Sequence, residues 1–323
     1  MLADPGPADD TALALSTQLG ASITASAWLS RRGFAAGPEL DRWLDPKLAH
    51  LTAPEAMADL PAAVDRLAFA IRQRERIAVF GDYDCDGITS CAILTEAIRA
   101  LGGEVAPLVA SRFDGGYGFS EEALKGVRAT GASLLVTCDC GSTDHPRLAA
   151  AASAGIDTIV IDHHLVPEEA LPARAFLNPH RPVCGHPFKG LASCGLALVV
   201  VTALRRKLGV ELDVRRWLDL VAVGTIADVA PLVGDNRALV RRGLEVLGAG
   251  ARIGLGALAM NGSGGRKRPW SSEDVAFQIA PRLNATGRLT HPRLSLEVLL
   301  ERDATRAWEL AAEIEELQRK RRE

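Results

Sequence analysis

Residues 77–90 read IAVFGDYDCDGITS. An apolar, partly β-branched run, Ile77 to Phe80, leads into aspartates at alternate positions, Asp82, Asp84 and Asp86, and then Gly87. A short apolar run of this kind predicts a buried strand. The D-x-D-x-D-G order is also the opening of a helix-flanked calcium loop, which requires a bidentate glutamate at its twelfth position and a helix in front. Counted from Asp82, that position is Ile93, and a strand precedes the loop. The calcium reading fails on both counts, and the three acids stand at the C-terminal end of a strand.

On either side a β-α rhythm follows. PAAVDRLAFAIRQRE is an amphipathic helix that ends just before the strand, and TSCAILTEAIRALGG is a helix just after it. Then come EVAPLVA as a strand, a helix near SEEALKGVRATG, the strand SLLVTC, a helix through HPRLAAAASAG and the strand DTIVI. Apolar strands alternating with helices predict an α/β fold, a Rossmann-like, mostly parallel sheet covered by helices on both faces. Residues 1–60 read as a helical lead-in, 61–300 as the α/β domain, and 301–323 as the start of a long charged connecting helix. Beyond about residue 190 the pattern is helical, and NGSGGRKRP is the one convincing flexible loop.

The chain has 323 residues, 48% hydrophobic and 24% charged, the balance of a globular protein with a full core. A net charge of −3 does not announce a nucleic-acid binder, although a basic footprint can be local. No apolar run reaches the ~18 residues of a membrane helix. The acidic opening MLADPGPADD lacks the order of a signal peptide, so a cytoplasmic location without membrane association is expected. The six cysteines include no C-x-x-C pair, and they read as small buried residues rather than ligands.

Three predicted strands end in acids or imidazoles: IAVF in Asp82, Asp84 and Asp86, LLVTC in Asp139, and TIVI in Asp162, His163 and His164. Asp228, in GTIADVAPL, follows a strongly apolar run. Ligands bind at the C-terminal edge of an open parallel sheet, so these residues are expected to gather there. Several buried carboxylates and imidazoles are costly together unless cations neutralise them. Carboxylate with histidine suits a divalent transition metal such as manganese, and a pair of ions sharing a carboxylate suits phosphodiester hydrolysis. Any single aspartate at a strand end reads equally well as a helix N-cap. A phosphatase with an aspartyl nucleophile would explain DCDGIT (Asp84 to Thr89). It would want a late acidic pair that is not apparent, and would leave the Asp-His-His triplet without a job. No G-x-G-x-x-G follows a strand, which leaves a dinucleotide site unsupported.

GDYDCDG, VTCDCG, VIDHH and GTIADVAPL resemble, in order, four motifs of the DHH phosphoesterase superfamily. SRFDGGYGFS, APRLNATGRL and the lead-in LTAPEAMADLPAAVDRLAFAI resemble segments of its RecJ branch, single-stranded-DNA exonucleases. The resemblance runs from about residue 25 to the end of the chain. It implies Asp82, Asp84, Asp139, His163 and Asp228 as metal ligands, with Asp139 bridging two manganese ions and magnesium as the alternative ion. It places His164 at the scissile phosphate, and Asp86 and Asp162 behind the ligands, Asp162 orienting His163. Arg112, Tyr117, Arg282, Asn284 and Arg288 are implied near the substrate, Arg282 with a catalytic role; arginine forks pair with phosphate oxygens. Phe113 and Tyr117 read equally as base-stacking residues or as core packing, and Arg266, Lys267 and Arg268 read first as a solvated basic loop and second as contacts to the DNA backbone. Related manganese pyrophosphatases carry a histidine four residues before the first aspartate; here Ala78 stands there, which implies an open or water-filled coordination position.

The implied activity is release of 5′-mononucleotides from the 5′ end of single-stranded DNA, in recombination and repair. Single-stranded-DNA-binding protein and a helicase are the implied partners. RecJ proteins continue beyond the long helix into a second catalytic lobe and an oligonucleotide-binding fold, so a fragment or a shortened protein is expected. Two rival readings are a phosphodiesterase for short oligonucleotides or cyclic dinucleotides, and a non-catalytic replication scaffold. The intact set of acids and histidines argues against the scaffold, because unpaired buried charge has no structural benefit.

Overall fold

The computed structural model describes residues 8–113, 118–263 and 269–322. The chain divides into two compact units, Met1–Leu51 and Thr52–Glu323. In the first, helices α1 (Asp10–Leu19), α2 (Ile23–Arg31) and α3 (Pro38–Leu44) close over Leu15, Leu29 and Leu40. Asp9 and Ser22 cap α1 and α2 by accepting the N–H of Ala12 and of Ala25, which satisfies donors that a helix start leaves open.

The second unit opens with α4 (Leu60–Arg72), β1 (Arg76–Gly81), α5 (Cys85–Ala100), β2 (Glu104–Val109) and α6 (Glu121–Ala129). It continues through β3 (Leu134–Cys138), α7 (His145–Ser153), β4 (Asp157–Ile161), β5 (Ala175–Leu177) and α8 (Ser193–Leu208). Then follow α9 (Leu218–Ala227), α10 (Gly234–Gly248), α11 (Ile253–Ser263), the single turn α12 (Ser272–Asp274) and a π-helical segment, Val275–Ile279. The last helices are α13 (Ala280–Leu289), α14 (Arg293–Leu300) and α15 (Ala304–Arg322).

All five strands are parallel, in the order β2-β1-β3-β4-β5. The expected helix-covered parallel sheet is therefore present. β5 is an addition: three residues are too few to show a period in the sequence. From β1 the chain crosses to β2 on one side, then returns to β3 on the other. The strand order reverses between β1 and β3, which opens a crevice beyond their C-terminal ends.

Side chains alternate across a strand, and here both faces are covered. Ala78, Phe80, Leu135 and Val160 pack with Phe119, Leu124, Val127, Leu148 and Ala151 of the α6–α7 layer. Ile77, Val79, Leu134, Val136 and Ile159 alternate with them and are fully buried on the opposite face. Helix α5 packs against β1, β2, α8 and α9 and is buried from Cys85 to Ile98, with Asp86 and Glu96 the charged residues within that stretch. Helix α15 buries Ala307, Leu310, Ala311 and Ile314 and packs against α11 and α13, so its apolar stripe belongs to the domain core.

One polar group ties the helical layer together. Arg252, just before α11, donates to both oxygens of Glu96 (3.1 and 3.0 Å), to Asp219 Oδ2 (2.9 Å) and to the Leu299 carbonyl (2.8 Å). Trp217 Nε1 also donates to Glu96, at 2.7 Å. Among the described residues no single helix is long and apolar enough to cross a membrane.

Candidate metal centre

The aspartate loop after β1 is shaped by α5. Asp84 caps that helix by accepting the Gly87 N–H at 3.0 Å. Gly87 has no room for a side chain: a Cβ there would fall 2.5 Å from the Asp82 nitrogen. Asp82 is 1% exposed and brings a carboxylate oxygen close to those of Asp84 and Asp139. The cap and the candidate ligand are thus one residue in Asp84, because the cap uses Oδ1 alone. Asp86 is fully buried and accepts the N–H groups of Ser193 (2.7 Å) and Cys194 (2.9 Å) at the start of α8.

Asp139, directly after β3, has a left-handed backbone with φ 64°. Aspartate tolerates that region better than most residues. Its Oδ1 accepts from the Ser193 hydroxyl at 3.1 Å and lies 3.1 Å from His163 Nε2. The same imidazole nitrogen lies 3.7 Å from Asp228 Oδ2, at the end of α9, and 3.8 Å from Asp86 Oδ2.

Asp162, after β4, accepts the backbone N–H groups of Ser142, His163 and His164. The ring it holds is that of His164: Nδ1 donates to Asp162 Oδ1 at 2.7 Å. This corrects the expectation that Asp162 orients His163; to that residue it gives only a backbone contact. A carboxylate only accepts, so His164 Nδ1 carries the proton and Nε2 faces away from Asp162.

The charges explain what the cluster lacks. Burial, helped by the neighbouring Asp84 charge, pushes Asp82 up to about 7. Burial and Asp86 push Asp228 up to about 6. Burial also raises Asp86 and Asp139. Asp162 goes the other way: burial opposes its ionisation, but hydrogen bonds from His164 and Ser142 outweigh it. The same bond from Asp162 raises His164.

Among the described residues, three overlapping sets could hold a cation: Asp82, Asp84 and Asp139; Asp139, His163 and His164; and Asp86, His163 and Asp228. Asp82 Oδ1 and His163 Nε2 are buried with no hydrogen-bond partner among the described residues. Two orphaned buried atoms amid raised carboxyls fit divalent ions, and oxygen with imidazole nitrogen is a donor set that suits manganese.

A pH dependence follows. Carboxyls raised above their unfolded value favour the folded metal-free protein at low pH, and that contribution is lost as pH rises through about 6 and about 7. Metal binding must displace those protons. The rise in unfolding temperature on adding Mn2+ is therefore expected to be large at about pH 8 and small at about pH 5.5. Thermal unfolding scans across this range check it; a metal-induced rise that is flat with pH contradicts the assignment.

The remaining candidates fall outside the acid cluster. Arg112 is exposed and donates through Nη2 to the Tyr83 hydroxyl at 2.8 Å. Arg288 is exposed on α13, beside Gly287, which abuts Tyr83; Asn284 of the same helix is partly buried, its Oδ1 without a hydrogen-bond partner among the described residues. Arg282, expected at the substrate, is instead 5% exposed. It donates to Glu315 of α15 at 2.6 Å and to the Gln278 carbonyl in the π-helical segment. Phe113 is exposed; Tyr117, Arg266, Lys267 and Arg268 lie outside the described residues. Two supporting residues were not anticipated. Ser193 reaches Asp139, and buried Asn178 donates to the His164 carbonyl while accepting the His180 N–H, both at 2.8 Å. Neither has a distinctive sequence signal.

A parallel sheet with this acid and histidine edge defines the class: the family model described as "DHH family, N-terminal domain" matches residues 76–225. The single-stranded-DNA-specific exonuclease RecJ of Bacillus subtilis is 37% identical over 315 residues, covering 98% of this chain and 39% of its own. A crystal structure of exonuclease RecJ bound to manganese superposes with a TM-score of 0.75 at 38% identity, over 84% of this chain and 68% of that one. RecJ from Thermus thermophilus in complex with Mn2+ gives 0.80 at 34% identity, over 97% and 44%. The chain belongs to the RecJ family. It spans well under two thirds of the Bacillus relative's length.

Proposed function

We propose that this chain carries the catalytic site of a 5′-to-3′ exonuclease that hydrolyses single-stranded DNA to 5′-mononucleotides with two manganese ions. The observation that carries the reading is the meeting of Asp82, Asp84, Asp139, His163 and Asp228 at one sheet edge, with buried Asp82 Oδ1 and His163 Nε2 making no hydrogen bond among the described residues. Its similarity to manganese-bound RecJ supports the same reading. Asp82, Asp84 and Asp139 would hold one ion; Asp139, His163 and Asp228 the other, with Asp139 shared. When bound, the ions supply Lewis acidity to a phosphoryl oxygen and to the attacking water.

The chain's own side chains do the rest. Asp162 fixes the His164 ring and favours its protonated form, so Nε2 can donate to a phosphate oxygen that gains charge in the transition state. Ser193 and the head of α8 hold Asp139 and Asp86 in place. Arg112 and Arg288, both exposed, offer guanidinium forks to backbone phosphates, which fix the strand without reading its sequence. Arg282 acts at one remove, tying α13 to α15 through Glu315. Recombination and repair, where single strands arise, are the proposed setting, with single-stranded-DNA-binding protein and a helicase as proposed partners.

The test follows a long single strand labelled at its 5′ end, in Mn2+ and in EDTA. Early release of labelled mononucleotide, lost in EDTA, is the expected result. Early release from a 3′ label contradicts the polarity. Cleavage of dinucleotides alone would favour a short-substrate phosphodiesterase.

A further inference from the structure

We propose that Tyr83 is a positioning residue that holds Arg112 ready for a strand phosphate; the inference rests on the exonuclease reading above. Tyr83 stands between Asp82 and Asp84 and is partly buried. Helix α13 backs it closely: a Cβ on Gly287 would lie 2.9 Å from the Tyr83 carbonyl oxygen and 3.1 Å from ring atom Cδ2. The ring therefore has a fixed seat. Against that ring lies the Arg112 guanidinium, its central carbon 4.7 Å from the ring centroid, and Nη2 donates to the hydroxyl at 2.8 Å.

Arg112 follows the C-terminal end of β2, on the same sheet edge as the acids, and is exposed. An exposed arginine has many rotamers, and ordering it on a ligand costs affinity. A cation–π contact and a hydrogen bond to one seated tyrosine restrict that freedom before substrate arrives. Among the described residues the Tyr83 hydroxyl is the guanidinium's polar partner, so most of its donors stay available to phosphate oxygens. The tyrosine thus couples the first metal-ligand loop to the phosphate grip. Phenylalanine at this position would keep the seat and the ring contact while removing the hydroxyl acceptor.

The test is a cycle of Tyr83→Phe, Arg112→Ala and the double variant in the full chain. Steady-state hydrolysis of a 5′-labelled oligothymidylate in Mn2+ gives KM and kcat, and thermal unfolding monitors the fold. NMR relaxation of the Arg112 Nε–H group, recorded without DNA or metal, reports the side chain directly. Tyr83→Phe is expected to raise KM about five- to tenfold, leave kcat within about twofold, and mobilise the Arg112 Nε–H. The double variant should be no worse than Arg112→Ala, because the tyrosine acts through the arginine. Additive effects, a loss in kcat alone, or an unchanged KM overturn the proposal. A wild-type protein with a mobile Arg112 that still degrades the strand overturns the positioning role alone. A rigid Arg112 in a wild-type protein that neither binds nor cuts the strand overturns the exonuclease reading, and with it the use assigned to Arg112.

Discussion

Asp139→Asn is expected to lose at least about 10³-fold in activity, roughly 4 kcal/mol of barrier. Asp139 belongs to two of the three candidate ligand sets, so one substitution weakens both ion positions. Asparagine is the informative replacement because it also tolerates the left-handed φ of 64°; alanine would add backbone strain. The amide replaces a carboxyl whose charged form burial and the neighbouring acids disfavour. In EDTA at neutral pH the variant should therefore unfold at or above the wild-type temperature, which separates lost chemistry from lost fold. Mn2+ titration by calorimetry should show weakened binding and a smaller stabilisation. Wild-type activity in Asp139→Asn would remove Asp139 from the site.

Arg252→Met is expected to destabilise the fold by about 3–5 kcal/mol at about pH 7 without touching the metal centre. The guanidinium is 9% exposed and neutralises two buried carboxylates, Glu96 at 10% and Asp219 at 3%. Burial raises Asp219 despite the arginine, whereas in Glu96 the Arg252 hydrogen bonds outweigh burial and lower the group. In the wild type, Glu96 therefore contributes stability above its unfolded value and loses it as pH falls. Without Arg252 both carboxyls are raised and take up protons in the folded state as pH falls. The deficit of the variant should accordingly shrink between about pH 7 and about pH 5. Urea denaturation at the two pH values measures it. A deficit below about 1 kcal/mol, or one that grows on acidification, would show that the network is not what holds the helical layer.

Much of this was legible in the sequence, for a definite reason. Asp82, Asp139 and His163 each follow a short apolar run, and parallel topology brings strand ends to one edge whatever their separation in the chain. What escaped depended on tertiary contact. Ser193 opens a helix like any other serine, and nothing local shows that its hydroxyl meets Asp139. His163 and His164 are adjacent and both within reach of Asp162, so the ring that turns to it is settled by packing. Arg282 carries an arginine's general aptitude for phosphate, but Glu315, on another helix, claims it. β5 has three residues and no period to read.

On the proposed reading, the acids and His163 at the β1–β3–β4 edge hold two ions. Anomalous scattering at the manganese edge, from crystals of this chain grown with Mn2+, tests it most directly. Two peaks are expected, one among Asp82, Asp84 and Asp139 and the other among Asp139, His163 and Asp228. A map with no peak at this edge, or with manganese held by other residues, would contradict it.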